Sequence, residues 1–118
     1  MIGMHLIVDG VIRVRVSGRE IHKVLSELPS EIGMKVLSGP YIVEGNPENP
    51  GWTGVVIIDK SHIAIHTFDL ESLISIDIYS CKPFNGEAVL RYLKSSLPLG
   101  RFSYRIFVRD VEEGGKVE

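Results

Sequence analysis

Lys60-Ser61-His62-Ile63-Ala64-Ile65-His66-Thr67 alternates apolar and polar side chains, with Ile63 and Ile65 on one parity and His62 and His66 on the other. A period of two is the signature of a half-buried strand. Segments of the same kind lie on both sides. Gly54 to Asp59 precedes it as a compact apolar strand, and Leu73 to Tyr79 follows with strict alternation. In the latter, Ile74, Ile76 and Ile78 point one way, while Ser75, Asp77, Tyr79 and Cys81 point the other.

Upstream, Met4 to Val16 alternates over a longer reach. Met4, Leu6, Val8, Ile12, Val14 and Val16 share one face, and His5, Asp9, Arg13 and Arg15 the other. Asp9-Gly10 resembles a two-residue hairpin turn, but such a turn would put arginines on the apolar face. One long strand, bulged at the glycine, keeps the face consistent. Ser17-Gly18-Arg19-Glu20 has capping-box spacing, and Ile21, Val24, Leu25 and Leu28 follow at helical intervals until Pro29 limits a short helix. Lys35 to Glu44 reads as a strand interrupted at Gly39-Pro40, and the stretch 45–51 as a turn-rich loop. Asn85 can cap a helix with Val89, Tyr92, Leu93 and Leu97 as its buried stripe, stopped by Pro98. Arg101 to Arg109 is a last strand, with Phe102, Tyr104, Ile106 and Val108 on its apolar parity. The tail from Val111 is acidic and glycine-containing, and is expected to fray.

Strand, helix, several strands, helix, strand: two helices can cover only one face of an antiparallel sheet. The expected fold is therefore an α+β two-layer sandwich, in one domain over residues 1–118. The uncovered face carries Arg13, Ser75, Asp77, Tyr79 and Arg105, a mixture that suits a site, another subunit's sheet, or simple exposure to water. A net charge of −2 gives no footprint for nucleic acid, and no apolar run approaches the ~20 residues of a membrane span. A lone cysteine closes no internal disulfide, and no basic-then-apolar leader opens the chain, so a cytoplasmic protein is expected.

Thr53, Ser61, His66 and Cys81 are the residues with chemistry to offer. Taken singly, Ser61 is an ordinary turn residue and Cys81 an ordinary small hydrophobe at a strand end. His62 and His66 share a parity, but no third ligand stands at a helpful spacing, so no metal site is expected. Their joint spacing is more specific. Ser61-His62-Ile63-Ala64-Ile65-His66-Thr67, followed by Ile76-Asp77-Ile78-Tyr79-Ser80-Cys81, resembles the prokaryotic S-adenosylmethionine decarboxylases, small self-processing enzymes that use a pyruvoyl group. Gly3-Met4-His5-Leu6 also looks like that family's first strand.

The resemblance implies a homodimeric, cytoplasmic carboxy-lyase of polyamine and spermidine biosynthesis, acting on a small-molecule substrate. It implies cleavage between Lys60 and Ser61, giving chains 1–60 and 61–118, with Ser61 the precursor of the pyruvoyl cofactor. That carbonyl forms a Schiff base with the substrate amine and draws off the electrons left as CO2 departs. By the same resemblance His66 assists the elimination and Thr53 positions the oxygen intermediate. Cys81 serves in processing and then as proton donor, and His62 is left a structural role. Three places depart from the family pattern: Lys60 stands where glutamate is usual, the stretch 45–50 replaces a histidine-and-phenylalanine segment, and Phe68-Asp69-Leu70 replaces a tryptophan-proline-glutamate run. They define the alternatives, an uncut relative with a binding or regulatory role, or a pyruvoyl decarboxylase of ornithine or arginine. Trp52, Phe68 and Tyr79 are expected to pack, with an aromatic near the site able to stack on an adenine ring.

Overall fold

The computed structural model describes residues 1–111, so the tail beyond Val111 lies outside the described residues. Six strands, β1 (Gly3–Ile12), β2 (Val36–Glu44), β3 (Trp52–Ile58), β4 (Ser61–Phe68), β5 (Leu73–Ser80) and β6 (Leu99–Arg109), form one antiparallel sheet ordered β2-β3-β4-β5-β1-β6. Helices α1 (Gly18–Glu31) and α2 (Gly86–Ser96) cover one face, as the two-layer α+β reading expects. No helix among the described residues is long and apolar enough to cross a membrane.

The core is the sum of the two periodicities. Leu6, Val8, Val56, Ile58, Ile63, Ile65, Ile74, Ile76 and Ile78 project from alternate strand positions onto Ile21, Val24, Leu25, Leu28, Val89 and Leu93 of the helices. Helix α1 comes down on β3 at Gly54, where an added Cβ would stand 2.6 Å from an Ile21 methyl. Its start is fixed by a complete capping box: Glu20 N–H donates to Ser17 Oγ and Ser17 N–H to the Glu20 carboxylate, both at 3.1 Å. Ser17→Ala breaks one arm of that box, and should lower the unfolding free energy in urea by about 1 kcal/mol with an unchanged denaturant slope.

Two expectations need correction, that of one strand reaching Val16 and that of a short first helix. β1 ends at Ile12, where Arg13 donates its N–H to Pro98, and the chain bends, so Val14 is exposed although Val16 returns to the core. The bulge at Gly10 is real: the register against β6 shifts between Gly10 and Ile12. Helix α1 is not short, since Pro29 falls in its last turn and removes only one hydrogen bond of a 14-residue helix. The apolar parity of β6 is largely uncovered, with Tyr104, Ile106 and Val108 exposed at 52%, 40% and 62%. β6 is an edge strand, and α2 reaches only Phe102 and the Gly86–Ile106 contact.

Candidate active site

The turn Asp59-Lys60 joins β3 to β4 with Ile58 opposite Ser61. Lys60 sits at φ 49°, in the left-handed region, which costs an L-residue with a side chain roughly 1–2 kcal/mol. Its ammonium lies 3.7 Å from the Asp59 carboxylate, an exposed pair that contributes little. Strain is thus held beside the Lys60–Ser61 peptide.

Ser61 opens β4 on the core parity and is buried. Its Oγ donates to the Asp59 carbonyl at 2.8 Å and accepts the Cys81 N–H at 2.8 Å. The Cys81 thiol donates to the same Asp59 carbonyl at 3.3 Å, so hydroxyl and thiol converge on one acceptor. Cys81 follows the last residue of β5, and the strand parity expected for it does not apply. Instead Ser80, wholly buried, donates to the Lys82 carbonyl at 2.7 Å and accepts the Lys82 N–H at 3.2 Å, turning the chain back toward Ser61.

Thr53 and His66 lie at the other end. They are directly opposite in β3 and β4, on the open face, with Oγ1 and Nδ1 3.1 Å apart. A cavity of about 90 Å³ adjoins them, lined also by Gly45, Trp52 and Phe68. The Trp52 N–H donates to Thr67 Oγ1 at 2.8 Å, tying β3 to β4 under it. His66 stands five residue steps along β4 from Ser61, about 17 Å at 3.3–3.4 Å per residue, and the two side chains leave opposite faces. The four predicted residues therefore form two pairs, Ser61 with Cys81 and Thr53 with His66, which one chain does not bring together.

Between the pairs the open face carries two polar rows. In one, His62 stacks on Tyr79 and His5 meets it edge-on, each at 5.8 Å, while Arg109 lies over the Tyr79 ring at 5.3 Å and reaches His5 Nδ1 at 3.3 Å. Burial holds the His5 imidazole below its ordinary pKa against the pull of Asp77, with Arg109 and His62 adding to the depression. In the other row Ser75 donates to Asp9 at 2.7 Å, and Ser75 stands opposite His66. Of the aromatic residues, Trp52 packs against Gly18 and the core, whereas Tyr79 is half-buried and Phe68 exposed on the open face. No group of three or more His, Cys, Asp or Glu residues able to hold a metal ion occurs among the described residues. Asp59 escaped the sequence reading because its contribution is a backbone carbonyl, for which side-chain identity gives no signal.

The S-adenosylmethionine decarboxylase proenzyme of Clostridium botulinum (strain Langeland) is 32% identical over 99 residues, covering 80% of this chain and 83% of that protein. A proenzyme of the same name from a Hydrogenobaculum species is 27% identical over 118 residues, covering 98% and 87%. The solved adenosylmethionine decarboxylase of Aquifex aeolicus superposes with a TM-score of 0.73 over 99% of this chain and 98% of that one, a likeness of fold at 22% identity. The family model described as S-adenosylmethionine decarboxylase matches residues 5–110, a span that takes in both residue pairs, five strands whole and most of β1, and the chain belongs to that family.

Proposed function

We propose that this chain is the proenzyme of a pyruvoyl-dependent decarboxylase of S-adenosylmethionine, cutting itself between Lys60 and Ser61 and serving cytoplasmic polyamine synthesis. The observation that carries the reading is the strained Lys60–Ser61 junction, with a buried hydroxyl and a thiol gathered on the carbonyl just before it. Residues of the right kind are present for the pyruvoyl group to arise in place: a serine, an adjoining strained peptide and a thiol. The group would head the chain 61–118, with Cys81 beside it, and would supply the carbonyl that makes an amino acid lose CO2.

The chain's own residues account for the cut. Ser61 Oγ, released from the Asp59 carbonyl, adds to the Lys60 carbonyl carbon as its proton passes to the departing amide nitrogen. The amide becomes an ester, and relief of the left-handed turn favours the exchange. Removal of the Ser61 α-proton then expels Lys60 as a carboxylate and leaves dehydroalanine. Water completes the change, releasing ammonia. That the Cys81 thiol shares an acceptor with the Ser61 hydroxyl supports its relaying protons at both stages.

The elimination needs a base, and His66 on the same chain lies too far away. A second copy supplies it if two open faces meet. That face exposes Tyr41, Val43, Ile57, Phe68 and Leu73, apolar area that a symmetric dimer would bury. Each site then brings Thr53 and His66 of one copy, on its open face, to the strand end at which Ser61 and Cys81 of the other lie.

Intact mass of the purified protein, with a CO2-release assay, tests the reading. Two fragments, 1–60 and 61–118, with activity on S-adenosylmethionine are expected. A chain that stays at 13.1 kDa after long incubation would sink it. A second reading keeps the chemistry and changes the substrate to ornithine or arginine. It draws on the turn after His66, where Asp69 is turned inward to Arg15 at 3.4 Å and Leu70 is 72% exposed. Parallel assays on the three amino compounds separate the two.

A further inference from the structure

We propose that Arg109 of each copy forms an ion pair with Asp9 of the other, so that two such pairs lock the dimer in the register that completes the site. This rests on the dimer argued above.

Three central rows run across the strands of the open face. Phe107, His5, Tyr79 and His62 form the first, at the Ser61 end; Arg105, Ile7, Asp77, Ala64 and Val55 form the second. Ser103, Asp9, Ser75, His66 and Thr53 form the third. Ser61 and His66 lie on the same strand. To set Ser61 of one copy beside His66 of another, face to face, the two-fold axis must lie in the interface and run across the strands through the second row. An axis along the strands would instead set each Ser61 end against its own counterpart. With the axis across, every strand lies over its own copy, and the first row lies over the third. Tyr79 and His5 then stand above Ser75 and Asp9 of the second copy.

The charges fit that superposition. In the first row the Arg109 guanidinium is held over β5 and β1, on the Tyr79 ring at 5.3 Å and against His5 at 3.3 Å. In the third row the Asp9 carboxylate is held over the same two strands by Ser75, leaving its second oxygen without a partner among the described residues. Neither residue belongs to an ion pair within the described chain, where the pairs are Met1–Asp110, Arg15–Asp69 and Lys60–Asp59. Packed sheets stand about 10 Å apart, a gap that an arginine arm and a short carboxylate bridge together. Fixed in advance by neighbours, both groups lose little freedom on meeting, and a guanidinium fork suits the carboxylate.

Charge reversal reads the pair directly. Sedimentation of Arg109→Asp and of Asp9→Arg should show dimer dissociation constants raised about a hundredfold, because each change removes two pairs and opposes like charges. The double reversal should return to within about tenfold of the parent. Should a reversal misfold, the milder Arg109→Gln and Asp9→Asn make the same cycle. Coupling is then seen as a double variant that loses no more than either single one. Losses that multiply in the double variant, with the parent still dimeric, overturn the pair and leave the dimer standing. A parent that sediments only as a monomer removes the two-fold arrangement itself, and the pair with it.

Discussion

Ser61→Ala should yield a single uncut chain of 13.1 kDa with no decarboxylase activity, and the loss should be complete rather than graded. In the proposed mechanism the substitution removes the hydroxyl that attacks the Lys60 carbonyl and, with it, the precursor of the reactive carbonyl. Its structural effect is smaller. The Ser61 hydroxyl bridges the Cys81 N–H and the Asp59 carbonyl, so its removal costs about 1–3 kcal/mol for the two groups left without it. A domain with a stability of about 5–15 kcal/mol tolerates that, and the variant should remain folded by circular dichroism. Mass spectrometry is the decisive readout. Cleavage in a folded Ser61→Ala protein would mean that another nucleophile opens the chain, and the assignment of the Lys60–Ser61 junction would fail.

The strands β3, β4 and β5 were legible because a half-buried strand forces alternation, and Ile63, Ile65, Ile74, Ile76 and Ile78 leave no other register. The capping box at Ser17 was legible for a similar reason, since two side chains of fixed reach satisfy two fixed N–H groups. β6 was legible as a strand with Phe102, Tyr104, Ile106 and Val108 on one face, but parity says which residues share a face and not whether a helix lies over it. Phe102 is covered while Val108, on the same parity, is bare. The site was legible as a set of residue types and illegible as an arrangement. Ser61 and His66 differ by an odd number, which places them on opposite faces, and by five residues, which separates them along the strand. The resemblance gathered the four residues into one list; the fold distributes them between two ends of a sheet. Cys81 illustrates a second limit. Its position depends on the bonds by which Ser80 turns the chain at Lys82, a local choice that strand periodicity does not encode.

The division into two pairs predicts complementation between inactive chains. His66→Ala alone should process slowly, by about 10²–10⁴-fold if the imidazole acts as the general base of the elimination. Ser61→Ala alone should not process. Co-expressed, the Ser61→Ala chain should rescue cleavage of the His66→Ala chain, because a mixed dimer joins Ser61 and Cys81 of the His66→Ala chain to Thr53 and His66 of the Ser61→Ala chain. Random pairing puts about half of the His66→Ala chains opposite a Ser61→Ala chain, so about half of them should be cut, and a mass tag on one chain identifies which. Pairing Ser61→Ala with Cys81→Ala gives the opposite forecast. Cys81 lies beside Ser61 of its own chain, donating to the same Asp59 carbonyl, so no partner can restore it. Rescue by the first combination and none by the second would follow from the distances within one chain. Rescue by neither, with both mixtures folded and dimeric, would mean that His66 acts on its own chain, across a gap of about 17 Å that the sheet would then have to close by unfolding β4.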